Sequence, residues 1–143
     1  MTPMLFDDLE RDEGLRLRAY QDTVGRWTIG FGHAEGVVEG EVWSRNKAQA
    51  TLNADVGRSV AQLDKALPWW RTLDDVRQDA LAEMCFNMGI GTLSDFVHAL
   101  KYLRSGDWAN ASAAFLLSKW ASQVGHRAQR LAFMVRNGAR PTS

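Results

Sequence analysis

Residues 13–33 read EGLRLRAYQDTVGRWTIGFGH, and the fold turns on how this stretch is read. Just ahead of it, Leu5, Phe6 and Leu9 recur at helical spacing and predict a short amphipathic helix ending near Gly14. Four residues past Leu9 the same stripe reaches Glu13, so a carboxylate stands where the pattern asks for an apolar side chain. Taken alone, such a residue is an exposed acid at a frayed helix end. Its neighbours change the reading. Trp27, Ile29 and Phe31 alternate with Thr28, Gly30 and Gly32, the period-2 signature of a strand with one apolar face. Ala19 to Asp22 supplies a partner strand, and Thr23-Val24-Gly25-Arg26 the turn. A hairpin centred on Gly25 sets Asp22 opposite Thr28, with both side chains on one face. Gly30 and Gly32 complete that face; glycines weaken a strand but leave room for a ligand to approach the backbone.

Two carboxylates in different settings suit one reaction in particular. Glycosidic cleavage needs one carboxyl protonated, to assist the leaving oxygen, and one ionised on the other side of the sugar. The C-terminal end of a helix is electronegative and favours the protonated form of a carboxyl placed there, which points to Glu13 as proton donor. Asp22, on an open hairpin, is the residue to stay ionised, and the Thr28 hydroxyl beside it can help hold a water.

The spacing Glu13, eight residues, Asp22, five residues, Thr28 sits in register with Asp12-Glu13-Gly14-Leu15 and with the run from Thr28-Ile29-Gly30 to Gly32-His33. This segment resembles the catalytic segment of the phage-type lysozymes, in the T-even-phage branch that includes the endolysins. The resemblance covers nearly the whole chain apart from residues 34–50. It implies an α+β, lysozyme-like, mostly helical fold in one domain. A small hairpin lobe at about 14–44 would be joined by a long helix at about 45–66 to a helical lobe at about 67–143. The first helix, 3–13, would pack on the helical lobe, with the active site between the lobes. The implied reaction is hydrolysis of the β-1,4 bond between N-acetylmuramic acid and N-acetylglucosamine in bacterial peptidoglycan, for host cell lysis. Glu13 is then the general acid, Asp22 its carboxylate partner and Thr28 the third catalytic residue. Inversion is favoured, through a water held by Thr28.

Further residues take roles from the same resemblance. Phe86 falls at a substrate-contacting position, Asn87 where the family often has a Gln, and Trp120 at a Trp packed behind the cleft; with Gly30 these are the candidate substrate-binding residues. An aromatic and an amide are also a plausible sugar lining in their own right, and core packing is the competing reading for Phe86 and Trp120. Arg127 and Arg130, in HRAQR, match arginines that pair with Glu13 and Asp12, and an arginine near Glu13 opposes the effect of the helix end. Asp55 and His33 match a pair that tethers strand to helix. The chain departs from the family in three places. The segment after His33 is markedly shorter, which trims the small lobe; Val124-Gly125 replaces a Thr-Pro step; and Ala114 stands where the family has a sugar-contacting Asn. Two other classes therefore stay in view: an inactive lysozyme-fold module for wall binding or scaffolding, and a lytic transglycosylase, which works with a Glu alone. Asp22 and Thr28 argue against the latter.

Bulk properties narrow the classes. At 143 residues the chain is one domain's worth, long enough to bury roughly two-thirds of its unfolded surface. Cys85 is the single cysteine and lies in the apolar run Met84-Cys85-Phe86, so an inert buried thiol is expected and no disulfide. His33, His98 and His126 are isolated, so neither metal nor other cofactor is expected. Seventeen basic against seventeen acidic residues argues against nucleic acid as partner. The distribution is uneven: five acids lie within residues 7–13, and none follows Asp107. The basic C-terminal stretch is either a solvated face or a partner for the acidic first helix. Without a basic start, a signal-type apolar stretch or a ~20-residue apolar run, synthesis in the host cytoplasm and no stable membrane insertion are expected. A monomer is expected, and the resemblance adds a holin-type helper for release to the wall.

Beyond the decisive stretch, Val37-Val38 predicts a third short strand. Ser44 reads as an N-cap for a helix from about 45 to 66 stopped by Pro68, with Ala48, Leu52, Val56, Val60 and Leu63 on one face. Thr72 with Asp75 reads as a capping box for a helix ending at Gly89. Thr92 with Asp95 opens the next, which closes at Gly106; Asp107 caps another, and a last one runs through Leu131, Met134 and Val135 to Gly138.

Overall fold

A computed structural model describes residues 1–142 of the protein. The fold is α+β and mostly helical, with one small antiparallel hairpin. It divides into two compact units, one of Pro3–Arg58 and one of Met1–Thr2 together with the chain from Ser59 onward.

In the first unit, α1 (Met4–Glu13) buries Leu5 and Leu9 almost completely, each worth about 1.5–3 kcal/mol. Gly14, at φ +69°, takes the chain out of the helix, its N–H bonding the Glu10 carbonyl at 3.0 Å, so Glu13 is the last helical residue. Strands β1 (Arg16–Gln21) and β2 (Trp27–Gly30) then pair, Tyr20 with Thr28 and Gln21 with Trp27. Arg16 pairs with Gly30, so β1 carries extra residues between Arg16 and Tyr20, a bulge. The expected third strand at Val37-Val38 is instead a loop, bounded by Gly36 and Gly40 at φ +71° and +84°. The outer edge of β1 is met further on, where Val42 bridges to Arg18 and the Trp43 N–H bonds the Leu17 carbonyl at 2.8 Å. Ile29, Phe31, Trp43, Ala48, Leu52 and Val56 are buried in this unit.

Helix α2 runs unbroken over Arg45–Ala66, about 33 Å at 1.5 Å per residue, with the Lys47 N–H bonded to the Ser44 hydroxyl at its start. The boundary between the two units falls within it.

In the second unit a 3₁₀ turn at Pro68–Thr72 leads into α3 (Asp75–Met88). The cap of α3 is Asp74, which accepts the Arg77 N–H at 3.1 Å; the Thr72 hydroxyl is engaged with the Trp69 carbonyl, so the expected Thr72–Asp75 box does not form. Nine consecutive residues, Arg77 to Cys85, are buried, which makes α3 the central helix of this unit. The next expected helix is broken in two, α4 (Ile90–Ser94) and α5 (Val97–Ser105), with Asp95-Phe96 between them. Then come α6 (Trp108–Leu116), α7 (Lys119–Val124) and α8 (His126–Asn137). Helix α8 packs on α3 and α6. Arg77 clamps its end: Nε donates to the Val135 carbonyl at 2.6 Å, and the guanidinium lies 3.8 Å from the centre of the Trp108 ring. Gly138 leaves the space that Arg77 fills. Cys85 is buried, its thiol pushed up by desolvation, as an inert cysteine should be.

Candidate active site

The residues singled out for catalysis all lie in the first unit. Glu13 is positioned by the end of α1 and is partly buried. Gly32, at φ +75°, comes so close to it that a Cβ there would collide with the Glu13 carboxylate. This glycine is required by the acid beside it. At Gly30 the corresponding space is filled by the Trp43 ring and Ala48, and Gly30 itself is buried; the room expected there for a ligand is taken by the protein's own core.

Asp22 begins the hairpin turn. Its Oδ1 accepts the Arg26 N–H at 2.8 Å and the Val24 N–H at 3.0 Å, and its Oδ2 lies 3.4 Å from the Arg26 guanidinium. The Arg26 amide, above all, holds this carboxyl below the ordinary aspartate value, against a smaller opposing effect of desolvation; the Val24 amide and the Arg26 charge add to the lowering. A carboxyl held in this way stays ionised to lower pH than a free aspartate.

The register differs by two residues from that expected, the centre of the hairpin moving from Gly25 to Val24. Thr28 stands opposite Tyr20 rather than Asp22, and the turn hydrogen bonds set Asp22 against Arg26. Because the pleat repeats every two residues, Asp22 and Thr28 still share a face, as diagonal rather than direct neighbours. Thr28 is 4% exposed, and its hydroxyl donates to the Arg26 carbonyl at 2.9 Å. With its proton so committed, Thr28 Oγ1 offers only lone pairs, so it can accept a hydrogen bond from a water but not give one.

His33 and Asp55 come together, Nδ1 to Oδ2 at 2.7 Å, while His33 Nε2 lies 3.0 Å from the Glu35 carbonyl. Arg58 reaches both Asp55 (3.4 Å) and Glu35 (3.3 Å), and the His33 ring lies 5.6 Å from that of Trp43. This cluster ties the segment after β2 to α2.

The remaining candidates lie in the second unit. Trp120 is buried and donates through Nε1 to the Asn87 side chain at 2.7 Å; Phe86 is half-buried on the same helix, α3. Arg127 Nε meets Glu83 at 2.8 Å, with the Glu83 side chain 2% exposed. Glu83 was not among the expected residues. One helical turn separates it from Asn87, so α3 presents an acid and an amide in line, one to Arg127 and one to Trp120. A separate hollow of about 440 Å³, lined by Leu117, Ser118, Ala121, Ser122 and Gln129, contains none of the candidates. Among the described residues no group of three or more His, Cys, Asp or Glu could hold a metal ion, and no helix is long and apolar enough to cross a membrane.

The phage lysozyme family profile matches residues 10–137. Relatives include an endolysin of Acyrthosiphon pisum secondary endosymbiont phage 1, 36% identical over 79% of this chain and 74% of that protein. A probable T4-type lysozyme 2 of Dictyostelium discoideum is 29% identical over 96% of both chains. The pre-baseplate central spike protein Gp5 of Enterobacteria phage T4 is 32% identical over 91% of this chain, which corresponds to 27% of that protein.

Proposed function

We propose that the chain, which belongs to the phage lysozyme family, is a muramidase. The bond hydrolysed is the β-1,4 link from N-acetylmuramic acid to N-acetylglucosamine in peptidoglycan, and the outcome is lysis of a bacterial host. The observation that carries this reading is the hairpin face: an aspartate held ionised by two backbone amides, beside a threonine able only to accept.

On this face a water finds two acceptors. One of its protons points to Asp22 Oδ2 and the other to Thr28 Oγ1, which turns an oxygen lone pair outward toward the anomeric carbon. Glu13 gives its proton to the departing glycosidic oxygen, the water attacks from the opposite side, and Asp22 takes the water's proton. The charge that builds up in the oxocarbenium-like transition state is stabilised by Asp22. Single displacement inverts the anomeric carbon. Asp22 Oδ1 is engaged with two amides, which supports a fixed base rather than a nucleophile. Phe86, Asn87 and Trp120 complete the proposal as sugar-contacting or supporting residues. The pairings of Arg127 with Glu13 and of Arg130 with Asp12 belong to it as well, as does release by a holin-type helper of a monomer made in the host cytoplasm.

Proton NMR of the first products tests the mechanism. The α-anomer appearing first supports inversion, and the β-anomer would replace it by a covalent intermediate on Asp22. A scaffold reading draws on one observation, the likeness to a spike protein. It predicts wall binding without released sugars.

A further inference from the structure

We propose that Arg16, held in place by Tyr20, recognises a carboxylate on the substrate strand beside the face that carries Asp22 and Thr28. This rests on the muramidase reading. Tyr20 is the direct cross-strand partner of Thr28, so its side chain rises on that face. The Arg16 guanidinium lies 4.7 Å from the centre of the Tyr20 ring, a cation–π contact that restricts an otherwise mobile side chain. Arg16 is exposed and makes no ion pair with any carboxylate among the described residues. On the same hairpin Arg26 is engaged with Asp22. Arg16 is thus oriented yet has no anion of its own, and a guanidinium fork matches a carboxylate in two parallel hydrogen bonds.

The proposed substrate supplies such groups unevenly. Its muramyl residues carry a lactyl arm extended by a peptide with free carboxylates, whereas its N-acetylglucosamine residues are neutral. A fixed arginine next to the reacting face therefore sets which sugar of the alternating strand lies over Asp22.

The test compares native peptidoglycan with the same material after its carboxylates have been capped as methylamides by carbodiimide coupling. Arg16→Gln is expected to lower kcat/KM on native peptidoglycan about tenfold, the worth of one charge-assisted hydrogen bond, and to lose most of that deficit on the capped substrate. Tyr20→Leu should show the same substrate-dependent loss, and Tyr20→Phe, which keeps the ring, should recover much of it. Raising salt from about 50 to about 300 mM should narrow the gap between wild type and Arg16→Gln. Arg18→Gln removes the same charge from a strand position without an aromatic partner and serves as control. An equal loss on both substrates, no loss on native peptidoglycan, or the same selective loss from Arg18→Gln would overturn the proposal. A wild-type chain that releases no reducing sugars would instead overturn the muramidase reading on which it rests.

Discussion

Replacing Gly32 by Ala separates the chemistry of the site from the stability of the fold. Two effects are superposed at this position. The backbone is at φ +75°, where a Cβ costs about 1–2 kcal/mol. The new methyl would also meet the Glu13 carboxylate at a distance no two such atoms tolerate. The carboxylate is the far end of a flexible side chain, so Glu13 gives way and the backbone stays. Stability should then fall by little more than the backbone term, about 3–7 °C in Tm for a chain of this length. Activity should fall far more, because a displacement of about 1 Å of a catalytic group costs on the order of 100-fold. Gly40 is the matched control: it has φ +84° and open space where its Cβ would be. Gly40→Ala should lose similar stability and keep most of its activity. The assay is turbidity clearance of peptidoglycan alongside thermal unfolding followed by circular dichroism. Equal activity in the two variants at equal Tm loss would refute the argument that Gly32 exists to seat Glu13.

Other predictions follow from single contacts. Thr28→Val should lower kcat about 100-fold or more by removing the acceptor that orients the water, while Thr28→Ser keeps most of the rate; a KM change without a kcat change would speak against it. Asp22 is held below the ordinary aspartate value, so the acid limb of the kcat profile should lie below about pH 4. The sign follows from the direction of the shift: a lowered carboxyl stays ionised, and Asp22 can accept a proton, until pH falls through that lowered value. The first cause is a backbone amide, so Arg26→Gln should move this limb upward only slightly, and a large move would show that the guanidinium dominates. Truncating Glu83 to Ala removes one charge-assisted hydrogen bond from Arg127 and should cost about 1.5–3 kcal/mol by denaturant unfolding. A double-mutant cycle on His33 and Asp55 should give a coupling of about 0.5–3 kcal/mol; a value near zero would remove their proposed tethering role.

Much of this was legible in the chain because its punctuation is strong. Pro68 and Ser44 delimit α2, and Gly14, Gly89 and Gly138 end their helices as a positive-φ glycine does. The end of α1 at Glu13 was legible because the carboxylate interrupts an apolar stripe just before a glycine. The errors lie where side chains compete for the same backbone groups. Asp22 captures the amides of Val24 and Arg26 and so moves the centre of the hairpin by one residue and its pairing by two, a choice that sequence spacing around Gly25 does not reveal. Thr72, Asp74 and Asp75 are all capping types, and only the 3₁₀ turn, which occupies the Thr72 hydroxyl, selects Asp74. Val37-Val38 has strand-like residues, but the positive-φ glycines on either side fold it into a loop. Glu83 stands seven residues after Val76 and three after Ala80, on one helical face with them, and so interrupts an apolar face just as Glu13 does; that signal could have found it. Its burial becomes intelligible only when α8 brings Arg127 against it.

The central claim is that Glu13 and the Asp22–Thr28 face together make a muramidase. Digestion of purified, de-O-acetylated peptidoglycan by the wild type and by Glu13→Gln, with the products identified by mass, tests it most directly. Reducing muropeptides from the wild type, and none from a folded Glu13→Gln variant, are predicted. Anhydromuropeptides, which need no water and so leave Asp22 and Thr28 without a role, would contradict the account, as would equal release by both proteins.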